Sequence, residues 1–572
     1  MYPKAKHGES QCASRSTKRH FQGNQYMEKS DETEQSTSAK KLKTAISDNI
    51  VYNPQHTYRI IEYFTVFTTL AQMLICKECK KSMQFEETGI RGFGFKLIVK
   101  CTCGRTEINS GPLIHTGYEI NRRLVFVLRL LGIGREGINI FSGLMDIGQG
   151  IAIGTYDRIV RHMHEVAKSV FDHLTEKVVD EEKAENVKNE RPPTELKISG
   201  DGSWKKRGFT SLFGVTTIIG YYSGKVIDLV VKSSYCQACV YWRKKEDTDE
   251  YTEWYEEHEN ECFANHSGSA GKMEVDAMKE MFSRSEEKFK VKYTNYIGDG
   301  DSKTFNAILN LNPYGDDVSV IKTECVGHVE KRMGTRLRNA KKTHKLGGKG
   351  KLTDVLIKKL TKYYGLAIRR NVNSVPNMKK AIWATLEHLC SSNENPRHDN
   401  CPAGADSWCQ WRKYEATGKL EEYDHPPPLH PDIEEHLIPI YTDLSNEDLL
   451  TRCMGGHTQN ANESFNATVW RLAPKHLNSG KNIIEIAAFI AAGIFNEGYS
   501  SLLKMMNQLE INIGPECRNF ANMYDTQRIS RQERRRLSST KEARAARRLA
   551  QITTNEFHEE AEGLLYGAGI AD

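Results

Sequence analysis

The pattern of hydrophobic and polar positions divides the chain into a helical part and a β-rich part. Between residues 117 and 178, apolar residues recur every three or four positions, which is typical of amphipathic helices. Gly132 and Gly134 interrupt this pattern, and the last helical segment is predicted over residues 155–177. Residues 180–194 are charged and end in two prolines, so we interpret them as a linker.

Beyond this linker the pattern becomes that of a sheet. Elements are predicted in the order strand, strand, strand, helix, strand, helix, over residues 197–201, 212–219, 225–231, 274–289, 293–299 and 304–309. Three antiparallel strands in succession, followed by alternating helix and strand, are the order of an RNase H-like fold. We therefore predict a mixed α/β protein with an RNase H-like core. Residues 195–330 form its first part, and residues 453–510 form its final helices.

The remaining segments are predicted to be helical or without fixed structure. Residues 331–452 indicate a basic helical insertion, and residues 511–572 a basic helical tail. The helical residues 113–180 fit a helix-turn-helix DNA-binding region and a plain helical spacer equally well. Residues 1–48 are too polar to bury a core and are predicted to be disordered. Two basic groups there are either nuclear-localisation signals or parts of a solvated tail: Lys18 to His20 and Lys40 to Lys43.

Composition narrows the class of protein. The 572 residues are 38% hydrophobic, which is enough for several domains. A net charge of +6 is compatible with a nucleic-acid partner but does not require one. The sequence has no run of 18 apolar residues and no N-terminal signal sequence, so we expect neither a membrane span nor secretion. In a reducing compartment, close pairs among the 14 cysteines indicate metal ligands rather than disulfides.

Two cysteine pairs predict a zinc-ribbon-like module over residues 49–112. Cys76 and Cys79 are separated by two residues, Cys101 and Cys103 by one, and a β-like segment joins the pairs. Two such pairs on two turns place four thiolates around one tetrahedral zinc ion. The alternative is a set of reduced structural thiols.

A second cluster lies in a zinc-knuckle-like insertion over residues 232–270 of the predicted core. Its candidate ligands are Cys236, Cys239, His258 and Cys262, with His266 as an alternative. This set also suits one tetrahedral zinc ion, with Trp242, Trp254 and Tyr255 as a small apolar support. The alternative is a group of thiols scattered in a loop.

Four acidic residues stand where a metal-dependent phosphoryl-transfer site needs them. Asp201 interrupts an apolar first strand, where a carboxylate is costly to bury unless it binds something; a turn at this Asp-Gly pair is the alternative. Asp299 ends the fourth strand, and Asp301 follows two residues later. One of these two is expected to bind metal and the other to cap the next helix. Glu463 lies among amide side chains at the start of a helical stretch.

These motifs together resemble the Mutator-like transposase family, over roughly residues 50–570. The resemblance rests on Asp201-Gly-Ser-Trp204, Gly298-Asp-Gly-Asp-Ser-Lys-Thr-Phe305, Cys325-Val-Gly-His328 and Thr458-Gln-Asn-Ala-Asn-Glu-Ser-Phe-Asn466. It implies a catalytic triad of two Asp and one Glu, which by position are Asp201, Asp299 and Glu463, with Asp301 as the alternative second acid.

The same resemblance includes a Cys-x-x-His pair between the second Asp and the Glu, which corresponds here to Cys325 and His328. This pair is either part of a zinc site or a hydrogen-bonded brace of the active site. A zinc site would need two further ligands, for which the candidates are Cys401, Cys409, Cys453 and His457.

The resemblance implies metal-dependent cleavage at transposon ends and strand transfer into target DNA. Two Mg²⁺ or Mn²⁺ ions would be held by the acids, beside structural Zn²⁺ elsewhere. The expected partners are terminal repeats, target DNA and further copies of this chain, in the nucleus, with no small-molecule substrate. Phosphate contacts are predicted for basic residues of the insertion, which alternatively form a solvated surface: Lys331, Arg332, Arg336, Arg338, Lys341 and Lys342. The alternative function is a domesticated, catalytically silent DNA-binding protein, against which the intact triad argues.

Overall fold

The computed structural model describes residues 36–43, 50–206, 210–299, 302–348 and 351–536. They belong to two compact units. Residues 401–425 and 534–536 are in one unit, and all other described residues are in the larger unit. Asp301, the basic group Lys18 to His20 and the predicted basic helix beyond Arg536 lie outside the described residues. None of the helices in the described ranges is long and apolar enough to cross a bilayer.

The N-terminal part contains two helices and a three-stranded antiparallel sheet. Its elements are α1 (Thr37–Lys43), α2 (Tyr63–Met73), β1 (Gln84–Arg91), β2 (Gly94–Cys101) and β3 (Gly104–Asn109). Tyr63 and Phe67 lie one helical turn apart, so both rings face the sheet. Their centroids are 6.0 Å and 5.3 Å from those of Phe95 and Phe85, respectively. This aromatic contact fixes α2 on the module.

A β-hairpin with two residues in each strand is followed by three helices. The elements are β4 (Leu113–Ile114), β5 (Gly117–Tyr118), α3 (Glu119–Leu130), α4 (Arg135–Leu144) and α5 (Ile153–Lys188). Our prediction of a linker over residues 180–194 is wrong for most of its length, because α5 continues to Lys188. Polar residues are buried on this last part: the Glu182 carboxylate accepts hydrogen bonds from the backbone N–H groups of Tyr222 and Ser223.

A five-stranded mixed sheet forms the centre of the larger unit. Its part of the chain contains β6 (Glu195–Trp204), β7 (Phe213–Gly220), β8 (Val226–Ser233), α6 (Gln237–Trp242), α7 (Asp249–His258), α8 (Ala270–Phe289), β9 (Lys292–Gly298), α9 (Ser302–Leu311) and β10 (Ile321–Glu324). The strand order is β10-β9-β6-β7-β8. β6, β7 and β8 pair antiparallel, whereas β9 and β10 run parallel to β6. The predicted strands are confirmed within a few residues, and the short edge strand β10 was not predicted.

Helices cover both faces of this sheet. The helices that follow β10 are α10 (Val326–Thr343), α11 (Asp354–Arg370), α12 (Val375–Cys390), α13 (Gln410–Ala416), α14 (Pro431–Leu444), α15 (Glu447–Arg452), α16 (Asn460–Leu472), α17 (Lys481–Glu497), α18 (Ser500–Gln508) and α19 (Pro515–Arg536). α5 and α17 pack on one face and α8 on the other. Side chains alternate accordingly along β8: Leu229 and Val231 join the core with α5 and α17, and Val230 joins the core with α8.

The helical insertion has a hydrophobic core of its own. α10, α11, α12, α14 and α15 bury a cluster that includes Met333, Tyr364 and Tyr441. The mixed α/β class is therefore confirmed, with a predominantly helical segment after the sheet.

The expectation of disorder across residues 1–48 is corrected for α1. The backbone N–H of Ser38 donates to Gln532 Oε1 at 2.8 Å, which ties this helix to α19. Lys41, one of the basic residues considered as a localisation signal, is buried, and its Nζ lies 3.4 Å from the ring centroid of Phe495. Docking on α17 and α19 supplies the burial that the segment lacks by itself.

Candidate active site and metal centres

Asp201 and Asp299 both lie just beyond the last residues that pair between the parallel strands β6 and β9. In the register of β6 with β9, Ser199 pairs with Ile297, and the two acids follow two residues later on each strand. Because β6 and β9 run parallel, both acids lie towards the same end of these two strands. Asp201 lies within β6, and Asp299 is exposed directly after β9.

Amide side chains fasten α16 to the strand that carries Asp201. Gln459 Nε2 donates to the Gly200 carbonyl oxygen at 2.6 Å, and Asn466 Nδ2 donates to Asp201 Oδ2 at 2.8 Å. Between them, Asn462 and Ser199 hydrogen bond through their side chains at 2.8 Å. The spacing 459, 462 and 466 places the three amides on one helical face. The sequence alone indicates these amides near Glu463 but not the groups that they contact.

The helix α16 brings Glu463 to the same site. His328 Nε2 lies 3.9 Å from Glu463 Oε1, and Lys331 Nζ lies 3.2 Å from the same oxygen. Because the Gln459 amide nitrogen donates to Gly200, its oxygen is the atom that faces His328 Nδ1, at 2.8 Å. His328 therefore carries a proton on Nδ1 and presents Nε2 towards the acid.

The side chains of Cys325 and His328 interact with each other. Contact with the Cys325 thiol raises the pKa of His328, and the nearby Asp299 charge acts in the same direction. Burial tends to raise the pKa of Cys325, but the interaction with His328 and backbone N–H groups lowers it overall. Within the described residues, neither side chain belongs to a group of three or more potential ligands.

The further zinc ligands considered for this pair lie in other environments. Cys453 is buried in the hydrophobic core of the helical insertion. His457 Nε2 lies 2.9 Å from Lys197 Nζ, and burial followed by this lysine charge lowers the pKa of His457 to about 4. Cys401 and Cys409 belong to the smaller unit.

Negative charge converges around Asp201. Burial raises the pKa of its carboxyl to about 6; His328 opposes this rise, and the charges of Asp299 and Glu463 add to it. Asn466 Oδ1 is buried and has no hydrogen-bond partner among the described residues. Carboxylate and amide oxygens are the donors that a hard divalent cation prefers, and its charge would relieve the repulsion. Among the described residues, the three acids do not form a group with all ligand atoms within 4.8 Å of one another.

The predicted zinc ligands come together as two sets of four. Cys76, Cys79, Cys101 and Cys103 form one group, and Cys236, Cys239, His258 and Cys262 form the other, with ligand atoms within 4.8 Å of one another. In the second group, His258 Nε2 lies 3.4 Å from Cys236 Sγ and 3.3 Å from Cys239 Sγ. Ligand atoms around a tetrahedral zinc ion are about 3.5 Å apart, so both groups could bind zinc.

The alternative ligand His266 lies outside the second group, because its Nδ1 is 3.1 Å from Asp276 Oδ2. The expected aromatic support is present beside His258. Trp254 stacks on this ring at 4.4 Å between centroids, and Trp242 stacks on Trp254 at 5.0 Å. Burial, followed by the neighbouring thiols Cys262 and Cys236, raises the pKa of Cys239 to about 12.

Most of the predicted phosphate-binding residues on α10 already pair within the chain. Lys331 pairs with Glu463, Arg332 with Glu324 at 2.6 Å, Arg336 with Asp443, and Lys341 with Asp354 at 2.9 Å. Arg338 donates to the Thr335 hydroxyl at 3.3 Å. Lys342 lies in the last turn of the helix, at an exposed position. These pairs compete with any phosphate contact by the same residues.

One of three comparisons with known proteins finds a match for this chain. The family model of the Mutator-like transposases matches residues 57–409, which is more than half of the chain. The search of curated proteins gives no match, and neither does the search of solved structures. The matched segment includes the first zinc-ligand group, the second group, all three candidate aspartates and the Cys325–His328 pair. This chain belongs to the Mutator-like transposase family.

Proposed function

We propose that the chain is an active DNA transposase whose three acids Asp201, Asp299 and Glu463 perform metal-dependent phosphoryl transfer. The observation that carries the proposal is that β6, the end of β9 and α16 bring these acids close enough to interact: burial raises the pKa of Asp201 most, and the charges of Asp299 and Glu463 raise it further. The strand order, with three antiparallel strands and two more parallel to the first, supports an RNase H-like core.

The acids would hold two divalent ions such as Mg²⁺, which supply an activated water and stabilise the leaving oxygen. Asn466 fixes one Asp201 oxygen, and His328 limits the positions open to Glu463. Hydrolysis forms a bond from the water oxygen to phosphorus and breaks the bond to the 3′ oxygen. The released 3′-hydroxyl then attacks a target phosphate in line, forming a new O–P bond and breaking the bond from that phosphorus to the 3′ oxygen of the target strand, which leaves as a 3′-hydroxyl.

Further parts of the proposal follow from joining two DNA ends. We expect at least two copies of the chain to act together on terminal repeats, and we expect the protein to act in the nucleus, where its DNA lies. Zinc at the two four-ligand groups would act structurally, because four protein ligands leave no open position for chemistry.

The test is nicking of labelled duplex DNA that carries the terminal repeats, with Mg²⁺ or Mn²⁺. The active-site variants are Asp201→Asn, Asp299→Asn, Glu463→Gln and Asp301→Ala. Asp448→Asn and Glu447→Gln, exposed acids on α15, are matched controls. Each triad variant is expected to bind DNA and lose nicking by about 1,000-fold or more, while the controls nick normally. DNA binding without any metal-dependent nicking by the native chain would instead favour a domesticated DNA-binding protein.

A further inference from the structure

A basic groove of about 980 Å³ lies at the beginnings of α4 and α5. It adjoins the module of residues 49–112 that carries the first group of zinc ligands, which we call the zinc-ligand module. The turn after β1, the β4–β5 hairpin and the loop before α5 form its walls. Its basic lining residues are Arg91, His115, Arg122, Arg135, Arg158 and His162. Within the described part of the chain, no Asp or Glu side chain lines this groove.

Most of the guanidinium groups of this groove have no carboxylate partner among the described ion pairs. Arg91 donates to the Thr116 carbonyl oxygen at 3.2 Å, and Arg158 donates to the Gly154 carbonyl oxygen at 3.2 Å; both contacts are to neutral groups. One acid lies nearby, since Glu510 Oε1 is 3.4 Å from Arg122 Nη1. The groove thus differs from α10, where most basic side chains face a carboxylate.

The long helix α5 adds positive potential at the same place. Ala152 and Thr155, at its beginning, line the groove. The helix extends for 36 residues and has neither a side-chain cap nor an acidic residue in its first turn. Unpaired N–H groups at such an end favour an anion. Four arginines beside a helix N-terminus suit a series of phosphates, since guanidinium binds phosphate through paired N–H donors.

We propose that this groove binds the phosphate backbone of duplex DNA. The inference rests on the proposed function, because that function supplies DNA as the occupant. Duplex DNA carries one negative charge about every 1.7 Å along its axis, so a short stretch of backbone presents several phosphates to these arginines. The contacts position the duplex without reading its sequence. The zinc-ligand module contributes Arg91, so its fold helps to form the site.

The first experiment measures binding of a fluorescent 30-base-pair duplex to the full chain by anisotropy, over a series of salt concentrations. The groove variant is Arg91→Ala/Arg135→Ala/Arg158→Ala. The control removes equal charge from exposed sites away from the groove, as Lys244→Ala/Lys379→Ala/Lys380→Ala. We expect the groove variant to bind about 10- to 100-fold more weakly, for any duplex sequence. We also expect the plot of the logarithm of the binding constant against the logarithm of the salt concentration to become shallower, with the magnitude of its slope smaller by about 2 to 3. The control should show little change.

A variant with a single charge reversal is expected to stay folded, so it tests the groove even if the triple variant unfolds. Arg158 is exposed on α5, so Arg158→Glu is expected to keep the circular dichroism and zinc content of the native chain and still weaken binding about 10-fold. Native-like binding by both folded variants would overturn the proposal. A groove-dependent preference for an RNA duplex over DNA would overturn it as well.

A measurement of DNA nicking distinguishes failure of the groove proposal from failure of the proposed catalysis. If native protein nicks DNA and the groove variants bind as native does, the groove proposal fails and the transposase proposal stands. If the groove variants lose binding while native protein never nicks, the groove binds DNA and the proposed catalysis fails. At saturating DNA, the groove variants should nick at the native rate, because none of these arginines belongs to the triad.

Discussion

Lys331 Nζ lies 3.2 Å from the carboxylate of Glu463, so the third acid of the proposed triad is paired with a cation from α10. Both side chains are more than half exposed. An exposed pair of this kind contributes at most about 1 kcal/mol, so it can be exchanged for another partner. A divalent ion at Glu463 would compete with Lys331.

Lys331→Met is therefore expected to tighten the apparent binding of Mg²⁺ about two- to fivefold, because the competing charge is lost. The measurement is the Mg²⁺ concentration that gives half-maximal nicking, at saturating DNA. Lys342→Met, on the same helix and with no carboxylate partner among the described ion pairs, serves as the control. Unchanged Mg²⁺ dependence with weaker DNA binding would instead assign Lys331 to a phosphate.

The second prediction concerns stability without divalent ions. The pKa of Asp201 is raised to about 6 from 3.8, so the folded chain binds this proton more tightly than the unfolded chain does. Its contribution to stability is fully present below about pH 4 and is lost as pH rises through 6. Asp201→Asn, which keeps the shape and removes the charge, should then stabilise the protein at pH 7.5 by about 1–2 kcal/mol.

Thermal unfolding checks this in a buffer free of Mg²⁺ and of chelators, so that zinc is retained. The gain in melting temperature for Asp201→Asn should shrink between pH 7.5 and pH 4.5. Asp448→Asn is the exposed control and should show no such gain. An equal gain at both pH values would mean that the charge of Asp201 is not the source of the effect.

Local sequence patterns predicted the elements in which buried apolar positions recur at a regular spacing. The runs of β7 and β8 are apolar because helices cover both faces of the sheet, and all eight positions of β7 are buried. The zinc-ligand groups could be recognised because each combines close Cys or His pairs. The C-terminal end of α5 was missed because its buried contacts use Glu182 and Asn186, which in sequence suggest a charged linker.

Contacts between distant segments could not be predicted in this way. Gln459 meets Gly200 across 259 positions of sequence, and α1 acquires its burial only from α17 and α19. The strand β10 has only four residues and too little periodicity to be recognised. For the acids, the motif placed each candidate on its element, whereas the parallel pairing of β6 with β9 brought two of them to the same end of neighbouring strands.

The third prediction tests Gln459 as a positioning residue. Gln459→Leu removes the donor to Gly200 and the acceptor for His328. It leaves the buried Gly200 carbonyl oxygen and the partly buried His328 Nδ1 unpaired. We expect a loss of about 1–3 kcal/mol of stability and a lower kcat with little change in KM for DNA. Gln459→Glu keeps the acceptor for His328 and should recover part of kcat. Equal loss of kcat in both variants would show that the amide acts only through packing on Gly200.

The last prediction concerns the second zinc-ligand group, whose ligand His258 stacks on Trp254 at 4.4 Å. Cys239→Ser weakens one of four ligands, so the purified variant should contain about one zinc equivalent less than the native chain, measured by mass spectrometry. Loss of this zinc frees the imidazole and should change the tryptophan emission. His266→Ala is the matched control, because His266 contacts Asp276 and lies outside the group. Loss of zinc in the control with retention in Cys239→Ser would contradict the assignment of His258 and Cys239 as ligands.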